Sequence, residues 1–91
     1  MVTLEENEET MMRTKEAIQT RILEICQCEE LTINGLSAKC GITQSTLNNI
    51  VSGRNNSTTV STIKKICDGV GMPLSAFFNC ELFDDLEQEI I

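Results

Sequence analysis

Four short, uncharged polar residues stand close together near the middle of the chain: Gln44, Ser45, Asn48 and Asn49. Residues four apart stack on one side of a helix, so this spacing gathers all four on one face. An Asn or Gln carboxamide carries a donor and an acceptor side by side. That pair matches the amine and ring nitrogen that adenine shows in the major groove of a duplex. A Ser hydroxyl adapts to several base edges. The competing reading of Asn48 and Asn49 is a plain solvated surface, although such surfaces more often carry Lys and Glu. Around the four stand residues suited to phosphate oxygens: Thr43, Thr46, Arg54, Asn55, Asn56 and Thr59. Contacts of this second kind position a protein on a duplex, whereas contacts to base edges carry the sequence information.

Catalysis is not expected. The chain has no His, no Cys–His pairing, no Gly-rich phosphate loop and no carboxylate pair on an ordered element. Asp84 and Asp85 fall in an acidic tail and read as solvated. The five cysteines, Cys26, Cys28, Cys40, Cys67 and Cys80, are odd in number and irregular in spacing. Cys26 and Cys28 form a CxC pair, a weak metal cue with no second pair behind it. Cys26, Cys40 and Cys67 read instead as small core hydrophobes in a reducing compartment. No metal, cofactor or small-molecule substrate is implied.

The elements that must hold the polar face are helices. With 91 residues, 41% hydrophobic, the chain has material for one core. Its three aromatics are Phe77, Phe78 and Phe83, so that core is aliphatic. The apolar spacing is helical and points to an all-α fold. Ile18, Ile22, Ile25 and Cys26 mark one face of a first helix, from about Thr10 to Cys28. Thr32 is the N-cap of a second, Ile33 to Cys40, and Gly41 stops it in the left-handed conformation. Ile42 plugs the angle between this helix and the next. Thr43 is the N-cap of a third helix, Gln44 to about Ser52, with Leu47, Ile50 and Val51 inward and Gly53 at its end. Ser37 is small enough to let these two helices approach. Thr59 caps a fourth, Val60 to about Gly69, with Ile63, Ile66, Cys67 and Val70 inward. Gly71 and Pro73 end it, and Ser75 is expected to cap a short fifth carrying Phe77 and Phe78. Leu82, Phe83, Leu86 and Ile90 have the spacing of a last amphipathic helix. They are too many for a solvated tail, so they either fold back on the core or form a dimer contact.

Net charge is −7, which suits a nucleic-acid binder poorly at first sight. Its distribution matters more. Residues 1–9 form an acidic tail holding Glu5, Glu6, Glu8 and Glu9, and residues 81–91 an acidic amphipathic segment. The domain between, residues 10–80, is mildly basic in its middle, where Lys39, Arg54, Lys64 and Lys65 stand against Asp68. Whole-chain charge is the wrong scale for one face. The acidic ends read as solvated; alternatively they repel non-cognate DNA or mask the basic face. Lys64 and Lys65 read as a solvated helix face. No run is apolar enough for a membrane span and the start has no signal-peptide pattern, so a cytoplasmic protein is expected.

A short helix, a Gly-Ile-Thr turn and a second short helix in succession over residues 32–53 have the layout of a helix-turn-helix. The longer stretch from Leu31 to Phe78 resembles the Xre/Cro-type, lambda-repressor-like DNA-binding domains of bacterial and phage regulators. Leu36, Gly41, Ile42, Thr43, Gln44, Ser45, Gly53, Ile63, Lys64, Lys65, Ile66, Gly71, Leu74 and Phe77 match that family's pattern. The resemblance spans about residues 14–79. It departs at Ile33, where Gln is common, at Ser37, where Ala is, and at Thr58, where Pro is. It implies a compact five-helix domain with the third helix in the major groove. It implies base contacts from Gln44, Ser45, Asn48 and Asn49, and backbone contacts from Arg54, Asn55 and Asn56. The expected function is a sequence-specific regulator of transcription on double-stranded DNA, a repressor, acting as a homodimer on a palindrome. The alternative is an antitoxin-like or adaptor module that uses the same fold to bind another protein.

Overall fold

The computed structural model of the protein describes residues 12–54 and 58–90. Residues 1–9, Asn55 and Asn56 lie outside the described residues. Among those described there are five α-helices and no strand: α1 (Thr14–Glu29), α2 (Ile33–Cys40), α3 (Gln44–Val51), α4 (Val60–Val70) and α5 (Leu74–Phe78), followed by a 3₁₀ turn (Glu81–Phe83).

The caps explain the boundaries. Thr32 accepts from the Gly35 amide at 2.9 Å, Thr43 from Thr46 at 3.1 Å and Thr59 from Thr62 at 3.1 Å. Each hydroxyl satisfies one of the amides that a helix start leaves without a partner. Gly41, Gly53 and Gly71 close α2, α3 and α4 with φ of 71°, 83° and 76°. The first helix ends instead on Glu30, a non-glycine residue in the same left-handed conformation at φ 57°.

Ile18, Ile22, Ile25 and Cys26 of α1 are buried with Leu36, Leu47, Ile50, Ile63, Ile66, Cys67 and Phe77 in one core. Ser37 is buried, and its hydroxyl donates to the Asn34 carbonyl at 2.9 Å. Cys26 and Cys67 are core residues as expected, whereas Cys40 is only half-buried. Burial pushes all three thiols above the ordinary thiol range; at Cys40 the neighbouring Lys39 offsets part of the rise.

A close approach invisible in the sequence joins α2 to α4. A Cβ on Gly69 would lie 2.5 Å from Cys40 Sγ, 3.0 Å from Cys40 Cα and 3.1 Å from the Lys39 carbonyl oxygen. Only a residue without a side chain fits there. Arg21 of α1 crosses to the end of α5. Its Nε donates to the Phe77 carbonyl at 2.7 Å and its Nη2 to Ala76 at 2.9 Å, satisfying last-turn carbonyls. Its guanidinium also lies 5.8 Å from the Phe77 ring centroid.

Three expectations are corrected. The first helix starts at Thr14, not Thr10, because Met12 is extended and forms a parallel bridge with Leu86; the Glu87 amide donates to the Met12 carbonyl at 2.9 Å. Ser75 does not cap α5: Pro73 holds the N-cap position, with no side-chain bond. Its fixed φ of −73° starts the helix without one. The acidic C-terminal segment is not an amphipathic helix. The segment folds back from the 3₁₀ turn onward: Phe83 meets Phe78 edge to face at 4.9 Å between centroids, and Leu82 and Leu86 are half-buried. Ile90 does not join them and is 86% exposed.

Candidate nucleic-acid interface

The third helix sits in the fold with one face locked and the other open. Leu47 and Ile50 point inward and are buried. Helix α2 packs against one flank and α1 against another. At about 100° per residue, Gln44, Asn48, Ser45 and Asn49 follow one another round the opposite side. Gln44, Ser45 and Asn48 are exposed; Asn49 is half-buried. Ser52 falls between Asn48 and Ser45 on the same face and is exposed too. Residue type alone does not single it out; extending the helical wheel one residue past Val51 finds it.

The flanking hydroxyls form short chains. Thr43 Oγ1 donates to Thr46 Oγ1 at 2.8 Å while accepting from the Thr46 amide. Among the described hydrogen bonds the Thr46 hydroxyl proton has no acceptor. Thr59 and Thr62 share a hydrogen bond of 3.0 Å at the start of α4. Thr43, Thr46 and Thr59 are all exposed.

Arg54 follows Gly53 at the far end of α3. Its Nε donates to Asn49 Oδ1 at 2.9 Å, and its amide donates to the Asn49 carbonyl at 3.0 Å. No carboxylate among the described residues pairs with it. Lys64, by contrast, is engaged by Asp68 one turn along α4. The structure thus brings together Gln44, Ser45, Asn48, Asn49, Thr43, Thr46 and Arg54 along one helix, and gives α3 no charge of its own. Among the described residues there is no group of His, Cys, Asp or Glu placed to hold a metal. No described helix is long and apolar enough to cross a membrane.

The helix-turn-helix model HTH_3 matches residues 29–77. The chain belongs to the HTH_3 helix-turn-helix family. Two solved structures resemble this HTH_3 chain. The prophage Lp1 protein 11 superposes with a TM-score of 0.73 at 29% identity, over 84% of this chain and all of that one. An HTH_3 family transcriptional regulator from Vibrio cholerae superposes with a TM-score of 0.67 at 25% identity, over 75% of this chain and 38% of that one. No curated protein matches the HTH_3 chain in sequence. Membership and the two structural likenesses bear out the all-α helix-turn-helix fold, and the bounds of α2 and α3 place the turn at Gly41–Thr43.

Proposed function

We propose that this protein is a sequence-specific regulator of transcription that binds double-stranded DNA with α3 in the major groove. The observation that carries the reading is the split character of α3. Leu47 is fully buried and Ile50 nearly so, while Gln44, Ser45 and Asn48 on the opposite side are exposed amides and a hydroxyl. A helix so held presents base-reading groups at fixed positions, which is what direct readout requires. Thr43, Thr46 and Thr59 supply hydroxyls to phosphates, joined by Arg54. With α3 uncharged, selectivity comes from amide contacts and affinity per copy is modest. Two copies on a palindrome restore affinity, and occupation of an operator makes the protein a repressor.

The test is a titration of the full chain against random duplexes, and against duplexes selected from a random pool, across a salt series. The logarithm of affinity should fall linearly with log salt, with a slope set by a handful of phosphate contacts. Gln44→Ala with Asn48→Ala should erase the preference for selected duplexes while leaving affinity for random ones. No binding to any duplex at low salt would sink the DNA reading and leave the protein-adaptor one, which the charge of −7 favours.

A further inference from the structure

We infer that Asn49, although it carries the same carboxamide as its neighbour Asn48, acts on DNA through Arg54: it is a positioning residue that aims the Arg54 guanidinium at the phosphodiester backbone beside the groove. The inference rests on the proposed DNA reading of α3.

Two levels of structure tie these residues together. At the end of α3 the Arg54 amide bonds the Asn49 carbonyl at 3.0 Å and the Gly53 amide bonds the Ile50 carbonyl at 3.2 Å. This paired pattern, with Gly53 at φ 83°, is the Schellman ending. It sets where the Arg54 side chain leaves the backbone. Gly53 has little room to change, since a Cβ there would lie 3.3 Å from Gln19 Nε2 and the φ itself is strained for any side chain. The side chains then close a second bond, Nε to Oδ1, at 2.9 Å. With Nε engaged, the plane of the guanidinium is set. The Nη groups at its outer end remain as a fork of the geometry that phosphate oxygens accept.

The same bond changes what Asn49 can read. Bidentate recognition of adenine uses both ends of a carboxamide, the oxygen accepting from the exocyclic amine. The Asn49 oxygen faces Arg54 instead. Its half-burial sets it apart from Gln44 and Asn48, whose exposed side chains have no partner among the described hydrogen bonds. One face of one helix therefore divides its amides: Gln44 and Asn48 read, and Asn49 aims the adjoining cation. Ordering a long side chain before binding removes part of the entropy loss that a free arginine suffers on contact.

A double-mutant cycle decides the matter. Asn49→Ala, Arg54→Ala and the double variant are titrated with a selected duplex and a random duplex over a salt series. Asn49→Ala and Arg54→Ala should each weaken binding to both duplexes by the same factor. That factor is about three- to ten-fold, the scale of one phosphate contact. Arg54→Ala should lower the salt slope by about one. Adding Asn49→Ala to Arg54→Ala should change nothing further. Arg54→Lys keeps the charge but lacks Nε, and should lose as much as Asn49→Ala. Without DNA, the Arg54 Nε–H should give a proton resonance protected from exchange, absent in Asn49→Ala. Multiplicative losses, a fall in the selected-to-random ratio on Asn49→Ala alone, wild-type binding by Arg54→Lys, or an unprotected Nε–H would each overturn the inference. Any of these with wild-type binding intact leaves the DNA reading standing; no binding by the wild-type chain overturns both.

Discussion

Helices α2 and α3 are built alike and do opposite things. Each has eight residues, starts on a threonine cap and ends on a left-handed glycine. In each, the amide of the residue after that glycine bonds back five residues, Ile42 to Ser37 and Arg54 to Asn49. The difference lies in that last residue and in the outward face. After α2 comes Ile42, which packs against the core. After α3 comes Arg54, which runs outward and is caught by Asn49. Helix α2 touches both α3 and α4 and has a serine in the core. Helix α3 keeps a row of amides exposed. The same local signals make a scaffold in one case and a surface in the other, and the side chains beyond each glycine choose between them.

The widest gap between the two helices should appear when bulk is added to the scaffold side. Gly69→Ala gains about 1 kcal/mol of helix propensity. It also drives a methyl into Cys40 and the Lys39 carbonyl, where backbone must move. Overpacking of this kind costs about 1–3 kcal/mol or more, so a net loss of stability is expected, read as a lower urea midpoint. Ser45→Ala on the open face of α3 should stay within about 0.5 kcal/mol. Equal losses from the two would break the contrast.

The caps come next. Thr32→Ala and Thr43→Ala should each cost about 1 kcal/mol in denaturant titrations, because the two hydroxyls do the same local job. Only Thr43→Ala should weaken DNA binding at temperatures where both variants are folded. Parallel drops in affinity would mean that α3's cap is structural alone.

The smallest effect is expected from alkali. Helix α3 contains no ionisable side chain, whereas α2 packs through Cys40 beside α4's Cys67. The folded state holds these thiols protonated beyond their ordinary range, so the unfolded chain loses its protons first. Stability from this source is complete below about pH 8.5 and declines as pH rises above it. Cys67→Ala should lower stability at neutral pH and flatten the alkaline decline. A variant curve parallel to that of the wild type would show that the thiols are not its source.

Much of the site was legible because its signals are local. A threonine cap bonds three residues ahead, and a left-handed glycine ends a helix at once, so α2 and α3 begin where the sequence places them. The inward positions Leu36, Leu47 and Ile50 follow from helical periodicity in the same way. The Asn49–Arg54 bond spans five residues and stayed hidden, because residue type does not say which way a long side chain turns. The last segment was misread for another reason. Leu82, Phe83 and Leu86 have helical spacing, but pairing of Leu86 with Met12 and the edge-to-face contact of Phe83 with Phe78 hold the segment without a helix.

By itself, then, the sequence determined an all-α chain, the extents of α2 and α3, and a polar face beginning at Gln44. These depend on contacts within about one helical turn, where residue type and spacing decide the outcome. The tertiary structure alone decided that Gly69 must have no side chain, that Arg21 caps α5 from fifty-five and fifty-six residues away, and that Leu86 of the acidic segment pairs with Met12. Those contacts join residues far apart in the chain. Their geometry exists only once the helices have packed, and no residue type announces it beforehand.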